Sequence, residues 1–599
     1  CALERIRRRN PTDSRWADKL TSVPFTLGLW VGGEVTPNKL KNDSDKENID
    51  RSANGRIKTM KDTIGTEYFI NFFQIESCPS CATRLFPETD ERDDNNEIKE
   101  ALWGFRLKGR NFHVVCPSHD CLFHGPDQGT DLPLLMVDES IYQDPPTFLI
   151  GTIDKFANLA WQQASGKLIG QDTKTLPPSL IIQDELHLIS GSLGTLAAIY
   201  ESAVDTVISQ NGQKKPKYIA ATATIRNSSE QCRRIFARNC KIFPSPGLTM
   251  EDSFFATVDK NPQNSRLYSG LMSSGVKTTV ASYKIMAAML QAINEIDLTD
   301  EEKDAFWTLL AYHNSKRELG RTISTYGDEI PAQIQTYAET EDKIRQLRGE
   351  YFEISANAVK SISDARSALM EKHDPPETMG YDFVPCTNMV SVGIDIQRLS
   401  YMFVNGHPKL NAEYIQATSR VGRSNISGLI VTNYSAFKPR DRSFYEQFKN
   451  FHMTIHRSVE PTTVTPGARS AMKKALHAAL IIVVRFASDL RKNDDAIRFN
   501  QAEYAPLIAD FKTRLRSCYT STDAEQTSIT NELDALVSQW EGWADTAESR
   551  DKPLDYSSRS KERWGLMKSM SISKQYFDVG WHTLFSMRHV DQEINLKED

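Results

Sequence analysis

Two carboxylates and an imidazole follow an apolar run in Ile181-Ile182-Gln183-Asp184-Glu185-Leu186-His187. At the end of a strand, such residues could hold Mg²⁺ and orient a water toward the terminal phosphate of a nucleotide. Phosphoryl transfer asks a protein for positioning and charge stabilisation more than for covalent chemistry. In this reading Asp184 holds the metal, Glu185 orients and polarises the water, and His187 relays the nucleotide state. Alone, the acidic pair reads equally well as a helix N-terminus with a favourable dipole interaction.

A basic counterpart lies downstream in Gln416-Ala417-Thr418-Ser419-Arg420-Val421-Gly422-Arg423. Guanidinium groups stabilise charge on a transferring phosphoryl group, an effect worth roughly 10³–10⁵ in rate. The spacing of Arg420 and Arg423 predicts one shared helix face, with Gln416 a turn earlier. The plain alternative is a salt-bridged surface helix. In Ser391-Val392-Gly393-Ile394-Asp395, Gly393 allows close backbone approach and Asp395 can position a ribose or an arginine. Gly393 is otherwise a strand-end turn.

A third constellation is Cys78-Pro79-Ser80-Cys81 with Cys116-Pro117-Ser118-His119-Asp120-Cys121. Four thiolates close a tetrahedral structural zinc site with no open position. Either His119 or His124 could replace one sulfur. A redox pair is the rival, weakened by the lack of a thioredoxin-like unit around it.

These residues need scaffolds. From about residue 150 to 225 short apolar strands alternate with helices: Phe148–Ile150, a helix over Asp154–Gln163, then Leu180–Gln183 and Tyr218–Ala221. That alternation predicts a parallel α/β sheet with ligands at the carboxyl ends of its strands. A second α/β block starts near residue 266. Thr299-x-x-Glu302 has the form of a capping box, and strands are expected at Trp307–Tyr312, Val390–Asp395, Tyr401–Val404 and Gly428–Asn433. Beyond about residue 461 the pattern reads as helical, and Lys39–Arg56 reads as loop. The expected fold is α/β: a first lobe over residues 1–265 with a zinc-binding insertion at about 71–130, a second lobe over 266–460, and a helical accessory region over 461–599.

Composition bounds the function. With 599 residues the chain holds several cores. A net charge of −6 excludes a wholly basic, histone-like binder and leaves room for a local positive groove. Nine cysteines, four of them clustered, suit a reducing cytoplasm with one metal site. The longest apolar run, Ala478–Val484, is too short to span a bilayer, so no membrane is expected. No Gly-x-x-x-x-Gly-Lys-Ser/Thr loop occurs, and the natural protein is expected to begin further upstream with that loop.

The Asp-Glu-x-His string, Ala221-Thr222-Ala223-Thr224, Ser391–Asp395 and Gln416–Arg423 resemble, in that order, motifs II, III, V and VI of superfamily 2 helicases. Gly151-Thr152-Ile153-Asp154-Lys155-Phe156 resembles motif Ib, and Tyr312-His313-Asn314-Ser315 resembles motif IV. The resemblance implies two RecA-like lobes that close on ATP and Mg²⁺, with Glu185 on one and Arg420 and Arg423 on the other. It also implies strand-backbone contacts by Thr152, Asp154, Lys155, Asn314, Ser315 and Thr387, for each of which a plain turn or helix cap is the alternative. With Gly28–Gly33, Glu185–Gly191, Asn388–Asp395 and His456–Pro461 added, the set resembles the DrmA family of the DISARM anti-phage defence systems. The MrfA-type, DUF1998-associated helicases are next. What this implies is a bacterial, cytoplasmic, ATP-driven DNA translocase acting with a DrmB-like DUF1998 subunit on a single-stranded track. A nucleotide-gated DNA-recognition scaffold that works through its partner is the alternative. A nuclease using Asp184 and Glu185 would need more acidic ligands than the sequence offers.

Overall fold

The computed structural model describes residues 1–9, 23–33, 35–41, 51–66, 68–93, 98–109, 111–125, 130–171, 176–212, 215–222, 227–245, 247–249, 252–255, 257, 259, 264–355, 362–376, 378–388, 396–519, 524–558, 562–569 and 579–588. The chain divides into two compact units. One comprises residues 1–222, 227–241 and 462–599, and the other residues 223–226 and 242–461.

In the first unit, β1 (Leu27–Trp30) is the middle of a short parallel sheet. A hairpin follows, β2 (Phe105–Lys108) with β3 (Asn111–Val114), then β4 (Leu134–Leu135), β5 (Phe148–Gly151), β6 (Leu180–Gln183) and β7 (Lys217–Ala220). β1 pairs in parallel with β4 and β5, and β6 pairs in parallel with β7, Ile182 opposite Ile219. Phe148, Ile150, Leu180, Ile182 and Ile219 are exposed. Their period-two spacing places the residues of each strand on a single sheet face. On the other side lies the helix Gly191–Gly212, whose Leu196, Ile199, Tyr200, Ala203, Val207 and Ile208 are buried. It packs against the helix Arg469–Ala487, buried along Ala475–Phe486. The 461–599 region therefore returns to the first unit.

Three expectations change here. The helix expected over 154–163 is two 3₁₀ segments, Ile153–Leu159 and Gln163–Ile169. The loop expected through residue 56 gives way to a helix, Ala53–Thr63, because the Ser52 side chain accepts the Gly55 N–H and caps its start. The C-terminal region is not all helical. Beyond its helices it also carries three short parallel strands, β13 (Leu554–Ser557), β14 (Trp564–Ser569) and β15 (Trp581–Thr583).

The second unit is built on one parallel five-stranded sheet of β8 (Arg266–Ser273), β9 (Leu309–His313), β10 (Phe383–Cys386), β11 (Tyr401–Asn405) and β12 (Gly428–Ser435), ordered β10-β9-β11-β12-β8. Strand parity sorts two cores. Leu310, Tyr312, Val384, Met402, Val404 and Ile430 join one cluster, while Leu309, Ala311, Phe383, Tyr401, Phe403 and Val431 join the other. A parallel sheet covered on both faces demands such continuous apolar runs. The Thr299 capping box is present: its Oγ1 accepts the Glu302 N–H at 3.3 Å, and Glu302 Oε2 accepts the Thr299 N–H at 2.9 Å. Arg345 and Asp382 form a buried ion pair at 2.8 Å, with the guanidinium over the Trp307 ring at 3.9 Å.

Candidate nucleotide, strand and metal sites

β6 ends at Gln183, and the chain turns at once. Asp184 is exposed and its Oδ1 accepts the Glu185 N–H at 2.9 Å. Glu185 has φ 50°, a left-handed conformation that costs a non-glycine residue on the order of 1–3 kcal/mol. The surroundings hold it there. The Leu186 N–H donates to the Ala221 carbonyl at 2.9 Å, tying the turn to the end of β7. The buried Gln231 amide donates to the carbonyls of Leu186 and Ile189 at 2.9 and 2.8 Å. Sequence reasoning passed over Gln231, because it lies more than 40 residues away and carries no motif. The strained backbone directs Glu185 toward His187, whose Nδ1 is 3.3 Å from Glu185 Oε2 and 3.4 Å from Thr222 Oγ1. Residues 223 and 224 lie outside the described residues.

In the second unit Gln416 sits on the helix Asn411–Thr418. The helix stops there, so Arg420 and Arg423 do not share a helix face as their spacing predicted. Gly422 is the reason: it takes φ 65°, and a Cβ at that position would meet the Gly428 backbone nitrogen at 2.6 Å. The Gly422 N–H donates to the Leu399 carbonyl at 2.9 Å, and Arg423 Nε donates to the Ser419 carbonyl at 2.7 Å. Arg420 is half-buried and Arg423 exposed. Gly393 and Asp395, with the strand expected over Val390–Asp395, lie outside the described residues.

The residues expected on the nucleic-acid track divide. Thr152 is half-buried at the start of the first 3₁₀ segment. Lys155 is buried, with its ammonium 2.5 Å from Asp138 Oδ2 and 3.0 Å from Asn38 Oδ1. Asp154 is taken up by the C-terminal segment, accepting from Ser586 Oγ at 2.7 Å and pairing with Arg588 at 2.9 Å. Asn314 donates to the Asn405 and Gly406 carbonyls at 3.0 and 3.2 Å, closing the turn after β9. Ser315 is the N-cap of the helix Lys316–Gly327, accepting the Glu318 N–H at 3.2 Å. Thr387 is buried past the end of β10. Lys155, Asp154, Asn314 and Ser315 thus have partners within the fold.

The four cysteines converge. Cys78, Cys81, Cys116 and Cys121 place their sulfurs within 4.8 Å of one another. Cys78 and Cys121 are 3.8 Å apart, Cys81 and Cys116 3.4 Å. Four sulfurs bound at about 2.3 Å around one tetrahedral ion stand about 3.8 Å apart, so the set fits zinc. The Ser80 N–H points to Cys78 Sγ at 3.4 Å. Burial raises the Cys78 thiol; against the same effect, the Thr83 hydroxyl and N–H bring the Cys81 thiol down to about 6. Neither histidine belongs to the sulfur set. The rings of His119 and His124 lie 4.1 Å apart, tilted at 53°, and His124 Nδ1 engages the Cys116 carbonyl at 2.8 Å. Cys78 and Cys116 are part of a core with Phe73, Trp103, Phe105 and Phe112, which also takes in Ala53, Met60 and Ile64 upstream.

A helicase conserved C-terminal domain matches residues 322–425. The chain is 33% identical over 630 residues to the DISARM protein DrmA of Bacillus paralicheniformis, covering 96% of this chain and 52% of that protein. The chain thus spans about half the length of this relative. Similar solved structures include the DUF1998 helicase MrfA bound to DNA, with 14% identity, a TM-score of 0.41, and 58% of this chain and 40% of that one covered. Helicase Lhr of Mycobacterium smegmatis bound to ssDNA and AMP-PNP has 13% identity and a TM-score of 0.42, with 66% and 42% covered. No described helix is long and apolar enough to cross a membrane.

Proposed function

We propose that this helicase-type chain, a relative of the DISARM protein DrmA, is part of an ATP-driven motor that moves along DNA within an anti-phage defence complex. The observation that carries the reading is the Glu185–His187–Thr222 arrangement across the ends of β6 and β7. It gives a water-orienting carboxylate and links it to the neighbouring strand through one imidazole. Asp184, exposed beside it, would hold Mg²⁺, which supplies charge neutralisation at the phosphates. Arg420 and Arg423 would stabilise the transferring phosphoryl group, and Gln416 would contact the nucleotide. The four cysteines would hold one structural zinc. A DrmB-like DUF1998 subunit is the proposed partner, by kinship to DrmA.

The test uses the full-length protein with that subunit, ATP and a labelled partial duplex. Strand displacement, or displacement of streptavidin from a biotinylated strand, that requires ATP is the expected result. ATP hydrolysis stimulated by DNA with neither displacement would contradict a motor and favour a nucleotide-gated scaffold.

A further inference from the structure

The second unit gathers positive charge at one end of its sheet. Three segments leave the carboxyl ends of β9, β11 and β12, over residues 314–318, 406–410 and 436–442. They carry Lys316, Arg317, Lys409, Lys438, Arg440 and Arg442 against two acids, Glu318 and Asp441, in a chain whose net charge is −6. Hydrogen bonds join the segments into one surface. Buried Asp441 accepts the His407 N–H at 3.3 Å and the Ser435 N–H at 2.9 Å, and Asn314 donates to the Gly406 carbonyl at 3.2 Å. Lys438 reaches Glu318 at 3.2 Å, so both acids are engaged. The Arg440 guanidinium lies over the Phe444 ring at 5.3 Å, and that ring stacks on His407 at 3.8 Å, two residues before Lys409. Lys409 and Arg440 are exposed, and neither forms an ion pair among the described residues. Phe437, in the same segment as Arg440, is 76% exposed and packs on no other ring among the described residues.

We propose that this surface holds single-stranded DNA, with phosphates on Lys409 and Arg440 and a base against the Phe437 ring. The inference rests on the DNA-motor reading and names contacts for it. Ligands gather at the carboxyl ends of parallel strands. The Asn314 amide N–H group and the Ser315 hydroxyl are bound within the turn and the helix start there, which leaves the neighbouring cations to meet the strand. An ammonium and a guanidinium supply charge-assisted donors to phosphate oxygens. Every base offers a π-face to an exposed aromatic ring, so cations with a ring suit a single strand of any sequence. An acidic peptide would use the cations and leave the ring without a partner. The mount is firm: Pro439 opens the helix Pro439–Glu446 with its φ preset, and Asp441 pins that helix to the ends of β11 and β12.

The test is binding of a fluorescein-labelled oligo-dT strand to the full-length protein across a salt series. Lys409→Gln combined with Arg440→Gln is expected to weaken binding at least tenfold and to flatten the slope of log K against log salt by roughly 1.4, two phosphate contacts on a single strand at about 0.7 each. Lys409→Arg combined with Arg440→Lys should keep the wild-type slope. Phe437→Ala should weaken binding about tenfold and leave the slope in place, because stacking releases no counterions. Phe437→Trp should bind as well as wild type. On a strand of abasic residues, Phe437→Ala and wild type should bind alike. All of these side chains are exposed, so melting temperatures should stay at the wild-type value. A wild-type slope in the Gln pair, or wild-type affinity for oligo-dT in Phe437→Ala, would overturn the proposal. So would poly-glutamate binding that the Gln pair abolishes while oligo-dT binding is unchanged, which would make the surface a seat for an acidic protein. A wild-type protein that binds no oligo-dT at all would instead bring down the DNA-motor reading beneath it.

Discussion

Oε2 of Glu185 lies 3.3 Å from Nδ1 of His187, and that imidazole is nearly buried while the carboxylate is 44% exposed. One end of the pair thus faces solvent and the other is fixed in the protein. Thr222, 3.4 Å from the same nitrogen, extends the link to the end of β7. The arrangement depends on the left-handed backbone at Glu185, which the Ala221 carbonyl and the Gln231 amide maintain.

His187→Ala should therefore leave ATP affinity within a few-fold of wild type and lower DNA-stimulated turnover about tenfold. A hydrogen bond to a charged group is worth roughly 1.5–3 kcal/mol, and 1.4 kcal/mol is one decade in rate. Steady-state ATPase assays with and without DNA measure it. Stimulation equal to wild type would show that the imidazole carries no coupling.

The sulfur cluster predicts one zinc per chain by elemental analysis. Cys116→Ser, at a buried position, should lose the metal and lower the melting temperature by about 5 °C or more, because metal affinity is folding free energy for such a site. Strong chelation should do the same to the wild type. Full stability in the metal-free protein would make the cysteines a packing feature only.

Several histidines give a pH signature. Burial, with His582 nearby, takes His477 down to about 3; its Nε2 is 2.9 Å from Thr583 Oγ1. Burial takes His313 to about 3 and His407 to about 4. In the unfolded chain these rings protonate near 6.5, while in the folded chain they stay neutral. Their stabilising effect is complete above pH 6.5 and is lost as pH falls from there toward 3, at about 1.4 kcal/mol per pH unit for each. Denaturant midpoints between pH 7.5 and 5 should fall accordingly, and His477→Gln should reduce the slope. An unchanged slope would place His477 in a solvated, titrating state.

Local chemistry was legible in the sequence where it is carried by neighbours in the chain. The Thr299–Glu302 box, the strand end at Gln183, and the Cys-x₂-Cys pair all depend on residues within a few positions. What the sequence did not show depends on distant partners or on one backbone angle. Lys155 looked available until Asp138 and Asn38 were brought beside it. Arg420 and Arg423 looked helical by spacing, although the Gly422 between them already signalled a break. β13–β15 escaped notice because strands of three to six residues lack a period long enough to separate them from helix.

The most direct measurement is ATP turnover by Glu185→Gln in the full-length protein on saturating DNA. Removal of a water-polarising carboxylate should reduce turnover by about 10²–10⁴-fold while ATP and DNA still bind. Turnover within a factor of two of wild type would contradict the assignment of this carboxylate to the reaction.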